Sequence, residues 1–281
     1  MSQWTITTLR LGELYLPHGG SLMRDPIHCW LVRGDGRNVL VDSGMPDLDV
    51  IEKRLKVKGI GGGHAALIEG LAGEGLEPSD ITDIVLTHLH FDHAENLDLF
   101  PQARVVIQRN EVLSAIDPVP SQRIFYWQST IDKLLARKRP TELLMVDGDL
   151  DLFPGFRLLS LPSHSEGMQV AIVTTERGRV GLVSDLGDHY RYWFPDDPRA
   201  TATPHRSLAG AYLTGAIRSE GERAWQAAMR RVAAATDIVI PAHDFRIPKR
   251  VPEQWFACPD STDGDLAHVP PETAAVRETT E

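Results

Sequence analysis

A histidine-rich stretch directly after an apolar run constrains this chain more than any other feature. The residues DITDIVLTH at 80–88 predict a buried strand, and HLHFDH at 88–93 continues it with three histidines and an aspartate. Histidine is the commonest metal-binding side chain near neutral pH. In the extended segment H-L-H, alternate side chains point the same way, so His88 and His90 can bind one ion. The stretch therefore predicts a metal site at the end of a strand.

Three further candidate ligands stand where apolar runs end in the second half of the chain. They are His164 after LLSLPS, Asp185 after GLVS and His243 after IVIPA. A single histidine in such a place is equally well explained as a structural cap. Together with the first cluster, these residues give seven nitrogen and oxygen donors, which is too many for one tetrahedral zinc ion. Seven donors suit two neighbouring ions that share a carboxylate.

Apolar, β-branched segments alternate with helical segments along the chain. Residues 1–16 alternate like a strand, and 47–75 mixes helical periodicity with a glycine-rich loop, GIGGGH, that we expect to be flexible. Further strands are predicted at 27–34, 37–44, 80–88, 103–109, 156–164, 168–176, 178–185 and 237–243, and helices at 121–140 and 221–235. The halves share a similar order, so we expect two mixed sheets with helices outside, an α/β four-layer αββα sandwich.

Composition limits the partners and the compartment. The 281 residues contain no apolar run long enough to span a membrane. The formal net charge of −10 disfavours nucleic-acid binding, because an acidic surface repels phosphates. Cys29 and Cys258 are too few for a disulfide framework, and we expect a reducing, cytoplasmic environment. We expect a single domain over 1–258 and a flexible polar tail over 259–281.

The order of these motifs resembles the metallo-β-lactamase superfamily. H-x-H-x-D-H is followed by a later histidine, aspartate and histidine, and the pattern runs from VLVDSGMPD at 39–47 to IPAHD at 240–244. The wording VDSGMPD, HLHFDHAEN and RVVIQRNE is most similar to that of the N-acyl homoserine lactonase group. The resemblance implies a dinuclear metal-dependent hydrolase. It implies that one ion binds His88, His90 and His164, that the other binds Asp92, His93 and His243, and that Asp185 bridges both.

The donor types admit several divalent metals. Zinc is the default, and manganese, iron or cobalt also fit nitrogen and oxygen ligands. Zinc lowers the pKa of a bound water from about 15.7 to about 7, so we expect a metal-bridging hydroxide to attack a substrate carbonyl carbon. Asp92, with one carboxylate oxygen left over, is the expected proton acceptor or relay. Asp42, at the end of VLVDSG, either orients a ligand imidazole or forms an Asx turn.

Two motifs depart from the wording that the resemblance implies. Glu95 and Asn96 replace the two glycines that usually follow H-x-H-x-D-H-A. The segment PSHSEG at 162–167 lacks the first glycine of P-G-H-[ST]-x-G but keeps its proline, histidine and last glycine. The predicted ligands are unaffected by these changes.

A third departure concerns the residue expected to bind the carbonyl oxygen. The lactonase group has a tyrosine three residues after the bridging aspartate, where this chain has Asp188. Tyr190 and Tyr192 are nearby substitutes as catalytic hydroxyl donors, and Asp188 is alternatively an extra acid beside the metals. The aromatic stretches at 123–128 and 189–198 are the candidate walls of the substrate pocket.

The expected activity is hydrolysis of a lactone or another carboxylic ester, with a small-molecule carbonyl substrate. Thioesterase, amidase, β-lactamase and phosphodiesterase activities remain alternatives on the same dinuclear site, because the tyrosine position is changed. A diiron redox protein would need a flavin domain, and no G-x-G-x-x-G segment follows here. A binding protein with an inactive site is disfavoured by the complete ligand set. We expect no nucleic-acid or membrane partner, and a homodimer is compatible with the sequence.

Overall fold

Two β-sheets form the centre of the computed structural model, which describes residues 3–18, 21–139, 141–193, 221–251 and 268–269. The first sheet contains β1 (Thr5–His18), β2 (Ser21–Gly34), β3 (Arg37–Val41), β4 (Lys58–Gly61), β5 (Asp83–Val85), β6 (Arg104–Gln108), β7 (Leu143–Val146) and β13 (His268–Val269). The second sheet contains β8 (Leu150–Phe153), β9 (Phe156–Ser160), β10 (Gln169–Thr175), β11 (Gly178–Ser184) and β12 (Ile238–Pro241).

The first sheet is mixed. Its order is β4-β1-β2-β3-β5-β6-β7, and β13 pairs with one end of β2. The strands β1 to β3 are antiparallel neighbours, whereas β3, β5, β6 and β7 run parallel. The carboxyl ends of parallel neighbours meet at one edge of a sheet. The residues that follow β3 and β5 therefore come together, and these are Asp42 and the histidine loop that begins at His88.

The second sheet brings its own polar loops to the same place. Its order is β12-β11-β10-β9-β8, with β12 parallel to β11 and the other neighbours antiparallel. Asp185 directly follows β11, and His243 follows β12 after one alanine. Gln169 on β10 links the two sheets, because its backbone N–H donates to Thr87 O at 2.9 Å and its side chain donates to Leu86 O at 2.8 Å.

Side-chain alternation divides the strands between two buried layers. On β3, Val39 and Val41 face the core between the sheets, and Leu40 faces the opposite side. The core between the sheets also contains Trp30, Val32, Val85, Val106, Phe156, Leu158, Val173, Val180, Leu182 and Ile240.

Helices cover the outer faces of both sheets. The described helices are α1 (Leu48–Leu55), α2 (Gly63–Ala72), α3 (Phe91–Ala94), α4 (Arg109–Ile116), α5 (Gln128–Leu135), α6 (Tyr190–Trp193) and α7 (Gly221–Ala235), of which the short α3 and α6 lie instead in the segments that follow β5 and β11. Helices α2, α4 and α5 bury apolar residues such as Leu67, Val112 and Leu134 against the first sheet. Helix α7 buries Ala228 and Val232 against the second sheet. The predicted four-layer αββα sandwich is confirmed.

The helix predicted at 121–140 is shorter in the structure. Helix α5 begins only at Gln128 and ends at Leu135. The preceding segment contacts the histidine loop instead, since Phe91 N–H donates to Phe125 O at 3.0 Å and a β-bridge joins His90 to Tyr126. These backbone partners are remote in the sequence, so local apolar periodicity could not reveal them.

The glycine-rich loop predicted to be flexible is built into the fold. Its first part is β4, which pairs antiparallel with β1, and α2 begins immediately afterwards at Gly63. A Cβ at Gly61, where φ is +72°, would lie only 2.4 Å from Leu11 O. The glycines here permit close backbone approach and positive φ, so the expectation of a flexible loop was wrong.

Two predictions fall largely outside the described residues. Within the tail at 259–281, only His268 and Val269 are described, and they pair with Met23 and Leu22 of β2. The aromatic stretch at 189–198 is described as far as Trp193, and Cys258 lies outside the described residues. Among the helices that the structure describes, none is long and apolar enough to cross a bilayer.

Candidate metal centre

The seven predicted ligands converge at one edge of the sandwich. Their donor atoms form three overlapping groups, within each of which all atoms lie within 4.8 Å of one another. The groups are His88 with His90 and His164, His88 with His93 and Asp185, and Asp92 with His93 and His243. We call the first of these groups the first set and the last the second set, with Asp185 between them.

The first set consists of three buried imidazoles. His90 Nδ1 lies 3.1 Å from His164 Nε2. His88 Nε2 is buried and has no hydrogen-bond partner within the part of the chain that is described. Burial lowers the pKa of all three side chains, and it does so most strongly for His88 and His90. The rings are therefore neutral, which is the form of imidazole that binds a metal ion.

The second set combines a carboxylate with two imidazoles. His93 Nε2 lies 3.3 Å from His243 Nε2 and 3.5 Å from Asp92 Oδ2, and Asp92 Oδ2 lies 3.7 Å from His243 Nε2. Burial opposes protonation of both rings, but neighbouring carboxylates that include Asp185 outweigh it and raise the pKa of both histidines well above the usual value. These carboxylates favour positive charge at the second set. A divalent cation can supply that charge in place of the protons on the two histidines.

Asp185 divides its carboxylate between the two sets. Its Oδ2 lies 3.4 Å from His164 Nε2 and 4.0 Å from His88 Nε2. Its Oδ1 lies 3.2 Å from both His93 Nε2 and His243 Nε2. Burial favours the neutral acid, yet His93 and His243 hold the pKa of Asp185 well below its usual value. The group is therefore an anion with one oxygen facing each set.

This donor set fits divalent cations. Five imidazoles and two carboxylates are suitable ligands for zinc and for other first-row metals. In the first set, His90 Nδ1 and His164 Nε2 lie close enough to share one proton. That proton does not satisfy His88 Nε2, which is buried and has no hydrogen-bond partner among the described residues. The described cluster therefore has the chemistry to bind divalent metal ions.

Asp42 orients a ligand of the second set directly and a ligand of the first set only through Thr87. Its Oδ2 accepts hydrogen bonds from His93 Nδ1 at 2.9 Å and from the Thr87 hydroxyl at 2.8 Å. Thr87 Oγ1 in turn lies 3.0 Å from His88 Nδ1. Since His93 Nδ1 donates to the carboxylate, its Nε2 faces the second set and is the nitrogen that a metal ion would bind in place of a proton. Asp42 has a φ of +64°, in the left-handed region that aspartate tolerates better than most residues.

Residues in the middle of β2 orient the ring of His243. Its Nδ1 lies 2.9 Å from Pro26 O, and because a carbonyl only accepts, Nδ1 must donate and Nε2 faces the second set. Asp25 Oδ2 lies 3.7 Å from the same Nδ1, and burial raises the pKa of Asp25 to about 6. Asp25 could not be predicted from the sequence, because a lone acid within a strand forms no recognisable pattern.

Asp188 lies beside the second set. Its backbone carbonyl accepts the His243 N–H at 2.9 Å, and its Oδ1 lies 3.1 Å from His189 Nδ1. Burial alone would raise the pKa of Asp188, but His189 outweighs burial and lowers it. The lactonase tyrosine position thus holds an ionised acid close to the metal ligands.

The two predicted tyrosines occupy different environments. Tyr190 is fully buried in the core between the sheets, and its N–H donates to Asp244 Oδ2 at 3.0 Å. Tyr192 is half-buried, with its ring centroid 5.9 Å from that of Trp225 on α7 and 6.4 Å from that of His189. The core position favours a packing role for Tyr190, while a catalytic role for either hydroxyl stays a prediction.

The predicted pocket wall at 123–128 reaches the first set. The ring of Phe125 lies 5.1 Å from that of His90, and the ring of Tyr126 lies 4.9 Å from it. This contact arises from the turn before α5, which was predicted to be helical. The segment is therefore largely a loop that pairs with the histidine loop, and its role as a pocket wall stays a prediction.

Glu95 and Asn96 make side-chain hydrogen bonds that glycines could not make. Glu95 Oε1 accepts a hydrogen bond from Lys133 Nζ of α5 at 3.0 Å. Asn96 Nδ2 donates to the carbonyls of Ser43 at 2.7 Å and Met45 at 2.9 Å. The departure from the usual glycines ties the histidine loop to α5 and to the turn after β3.

Glu111 is the main residue that sequence reasoning missed. It lies in the first turn of α4 and is fully buried. It accepts hydrogen bonds from Leu89 N–H, Tyr126 O–H, Ser165 O–H and Gly167 N–H. A single glutamate in a short helix gives no local signal, although Glu111 is the last residue of RVVIQRNE, which resembles the lactonase group.

Comparison of the structure with solved structures identifies the fold. An N-acyl homoserine lactone hydrolase with the product N-hexanoyl-L-homoserine bound at its catalytic metal center has a TM-score of 0.65 and 22% identity, with 87% of this chain and 95% of that chain covered. A probable metal-dependent hydrolase from Staphylococcus aureus has a TM-score of 0.67 and 18% identity, with 99% of both chains covered. Both share the fold of this protein.

Comparison of the sequence identifies the family. The N-acyl homoserine lactonase AiiA of Bacillus thuringiensis subsp. kurstaki is 29% identical over 206 residues, which are 68% of this chain and 75% of that protein. The N-acyl homoserine lactonase AiiB of Agrobacterium fabrum is 28% identical over 163 residues, 54% and 59% of the two chains. The family model of the metallo-beta-lactamase superfamily matches residues 22–243, a span that contains all seven ligand positions. The chain therefore belongs to the metallo-beta-lactamase superfamily, as a hydrolase whose relatives include N-acyl homoserine lactonases.

Proposed function

We propose that this protein opens a lactone or another small-molecule carboxylic ester at a centre of two divalent metal ions. The proposal is supported by its relatives, since N-acyl homoserine lactonases are 29% identical to it over 206 residues. It is also supported by the ligand positions, which follow the order of the lactonase motifs. Zinc is the expected metal, and manganese, iron or cobalt would fit the same donors.

The division of the Asp185 carboxylate is the observation on which the proposal rests. One oxygen faces His164 of the first set, and the other faces His93 and His243 of the second set at 3.2 Å. A carboxylate in this position can bridge two ions at the separation of about 3.5–4 Å that is typical of dinuclear hydrolases. A single ion would leave one of the two sets without a purpose.

The metals and the protein contribute different things to hydrolysis. When bound, two divalent ions would supply a Lewis acid for the substrate carbonyl and a water molecule activated near neutral pH. The chain holds their ligands in fixed orientations, through Asp42 for His93 and through the Pro26 carbonyl for His243. Fixed ligands preserve the geometry of the attacking and accepting groups during the reaction.

Asp92 is the proposed proton acceptor. Its Oδ2 faces the two histidines of the second set, which leaves Oδ1 for a proton from the attacking water. Its side chain is 14% exposed, whereas the side chain of His93 is 1% exposed. The carboxylate therefore forms part of the open side of the cluster, where water and substrate arrive. Proton transfer to such a group typically contributes about 10²- to 10⁴-fold to the rate.

Substrate profiling with matched metal loading tests the proposal. Protein reconstituted with zinc, or with manganese, would be assayed with N-acyl homoserine lactones of several chain lengths, a simple δ-lactone, an aryl ester, a thioester, a β-lactam and a bis-aryl phosphate. We expect the highest kcat/KM for a lactone or ester and no turnover by chelator-treated protein. A highest value for the phosphate diester or the β-lactam would overturn the assignment of substrate class while leaving the metal centre intact.

A further inference from the structure

We propose that Glu111 is a positioning residue that holds the loops of the first set, His88, His90 and His164, at the spacing needed to bind one metal ion. The inference rests on the metal centre of the proposed function, but not on the identity of the substrate. Glu111 is not itself one of the seven candidate metal ligands, because its carboxylate lies outside their cluster.

Glu111 receives hydrogen bonds from three separate segments. Its Oε1 accepts from Leu89 N–H at 2.9 Å and from the Tyr126 hydroxyl at 2.9 Å. Its Oε2 accepts from the Ser165 hydroxyl at 2.6 Å and from Gly167 N–H at 3.1 Å. The side chain is 0% exposed, so water does not compete for these bonds.

Each of these segments either contains or contacts a ligand of the first set. Leu89 lies between His88 and His90, and Ser165 directly follows His164. Tyr126 pairs with His90 through a β-bridge, and their rings are 4.9 Å apart. The Glu111 carboxylate therefore fixes the spacing between the two loops whose imidazole nitrogens approach to 3.1 Å.

Gly167 gives independent support for this docking. A Cβ at Gly167 would lie 2.0 Å from Glu111 N and 2.4 Å from Glu111 Cα. Real Cβ atoms do not approach backbone so closely, so the His164 loop sits against the start of α4 only because this residue is glycine. The last glycine of PSHSEG thus permits the contact with Glu111.

The second set does not depend on Glu111 in this way. His93 is oriented by Asp42 and His243 by the Pro26 carbonyl, through hydrogen bonds that involve neither α4 nor the His164 loop. Loss of Glu111 should therefore weaken binding of one ion more than that of the other. A residue with a general packing role would not produce this selectivity.

Glutamine cannot reproduce the carboxylate, although it has the same size. Each oxygen of Glu111 accepts one backbone N–H, from Leu89 or from Gly167. A hydroxyl can rotate and accept instead of donating, but a backbone N–H cannot. Whichever way the amide of Glu111→Gln is turned, its NH₂ group faces one buried N–H that loses its acceptor.

Metal binding by variants tests the inference without any substrate. Wild type and Glu111→Gln would be loaded with Co²⁺, dialysed against a competing chelator, and measured by visible absorption and elemental analysis. We expect the wild type to hold two equivalents and Glu111→Gln to hold one tightly, with affinity for the other reduced about 10- to 100-fold. Gly167→Ala should give the same loss, because it displaces the same loop.

Double variants identify which ion is lost. In a His164→Ala background, Glu111→Gln should cause little further loss, because the first set is already incomplete. In a His243→Ala background, the same change should remove the remaining tight equivalent. The reverse pattern would overturn the assignment of Glu111 to the first set.

The control is Asp83→Asn, at the start of β5. Asp83 is also a buried acid, paired with Arg37 at 3.1 Å and Arg104 at 2.7 Å, at the opposite end of that strand from the histidine loop. It should lower the thermal midpoint yet keep two equivalents. Equal metal loss in Asp83→Asn, or two tight equivalents in Glu111→Gln, would overturn the inference.

Two further results separate the inference from the proposed function. If Glu111→Gln does not fold, Ser165→Ala removes one donor and should give a smaller loss of the same ion, whereas unchanged affinity would contradict the role of Glu111. A wild type that binds two ions but does not hydrolyse lactones or esters overturns only the proposed function. A wild type that never reaches two equivalents overturns both.

Discussion

The first and second sets meet at Asp185 but are built differently. The first set has three imidazoles that burial keeps neutral, and its loops dock on Glu111. The second set has a carboxylate and two imidazoles whose pKa values are raised by neighbouring acids. Its histidines are oriented by direct hydrogen bonds that their own ring Nδ1–H groups donate, from His93 to Asp42 and from His243 to the Pro26 carbonyl.

The difference teaches that two ions in one centre need not be equivalent. A set of neutral imidazoles attracts a cation through lone pairs alone, while a set that includes a carboxylate adds direct charge attraction. The first set is controlled by the spacing of loops, and the second by the direction of individual rings. Substitutions around the centre should therefore separate into two classes according to which ion they weaken.

Metal removal is expected to have the largest effect. The protein should bind two equivalents and lose all hydrolytic activity with a chelator, and the ion of the second set, which includes the Asp92 carboxylate, should leave last. We expect dissociation constants that differ by at least about tenfold, or ~1.4 kcal/mol. Elemental analysis along a chelator titration provides the measurement. Simultaneous loss of both ions would show that the two sets act as one unit.

Asp185→Asn should disable both sets together. The amide removes the negative charge between two cations and offers only one oxygen, so metal retention and turnover should fall by more than the roughly 10- to 100-fold expected for residues that only orient ligands. Asp188→Asn, three residues later, is the matched control and should keep both ions. Retention of near wild-type metal and rate by Asp185→Asn would exclude a bridging role.

Asp42→Asn should act mainly on the second set. The asparagine tolerates the positive φ at this position, so the change tests the hydrogen bonds and not the backbone. One of its polar groups must oppose either His93 Nδ1–H or Thr87 N–H, both of which now donate to the carboxylate. We expect a loss of about 10- to 100-fold in affinity for one ion.

The companion of this variant is Thr87→Val, which removes the hydroxyl beside His88 Nδ1. It should weaken the ion of the first set, and a double variant should weaken both. Competition titrations with Co²⁺ would separate the two effects. If both variants weakened the same ion, the division into two independently held sets would be wrong.

Asn96→Gly should reduce stability with little effect on metal content. The change restores the glycine that the superfamily resemblance implies, but it removes hydrogen bonds to the buried carbonyls of Ser43 and Met45. We expect the free energy of unfolding to fall by about 1–3 kcal/mol, measured by urea denaturation. Asp98→Asn, at an exposed ion pair on the same loop, should cost about 1 kcal/mol or less.

Tyr192→Phe should have the smallest effect on catalysis. If its hydroxyl binds the carbonyl oxygen more strongly in the transition state, kcat/KM should fall about tenfold, which corresponds to ~1.4 kcal/mol. Tyr190→Phe is the comparison. Its ring lies in the core, so removal of the hydroxyl should change the stability of the protein and not kcat/KM. Unchanged kcat/KM for Tyr192→Phe would leave the turn at 123–127 as the better candidate for a pocket wall.

The layers of the fold and the ligand positions were accessible from sequence for one reason. Buried strands read as apolar runs, and the first polar residue after each run marks the sheet edge where ligands collect. Asp185 and His243 were found in this way. The αββα architecture was predicted from a second pattern, the alternation of strands and helices in both halves.

Contacts between distant segments were not accessible. The segment before α5 was predicted to be helical because its apolar spacing allows it, yet its backbone partner is Phe91, which lies in the histidine loop. Glu111 and Asp25 stayed hidden, because a single acid acquires its role only when separate loops meet around it. The glycines at 59–63 were misjudged for a similar reason, since close approach to Leu11 is a tertiary feature.

The placement of ligands on both halves of the chain has a consequence for folding. His88, His90 and His93 follow a strand of the first sheet, while His164, Asp185 and His243 follow strands of the second. Bound ions would thus cross-link the sandwich much as a disulfide closes a long loop, and they would oppose separation of the halves. Each tenfold rise in free metal above its dissociation constant would add about 1.4 kcal/mol per ion to the free energy of unfolding. Conformational stability in a cell would then depend on metal supply as well as on sequence.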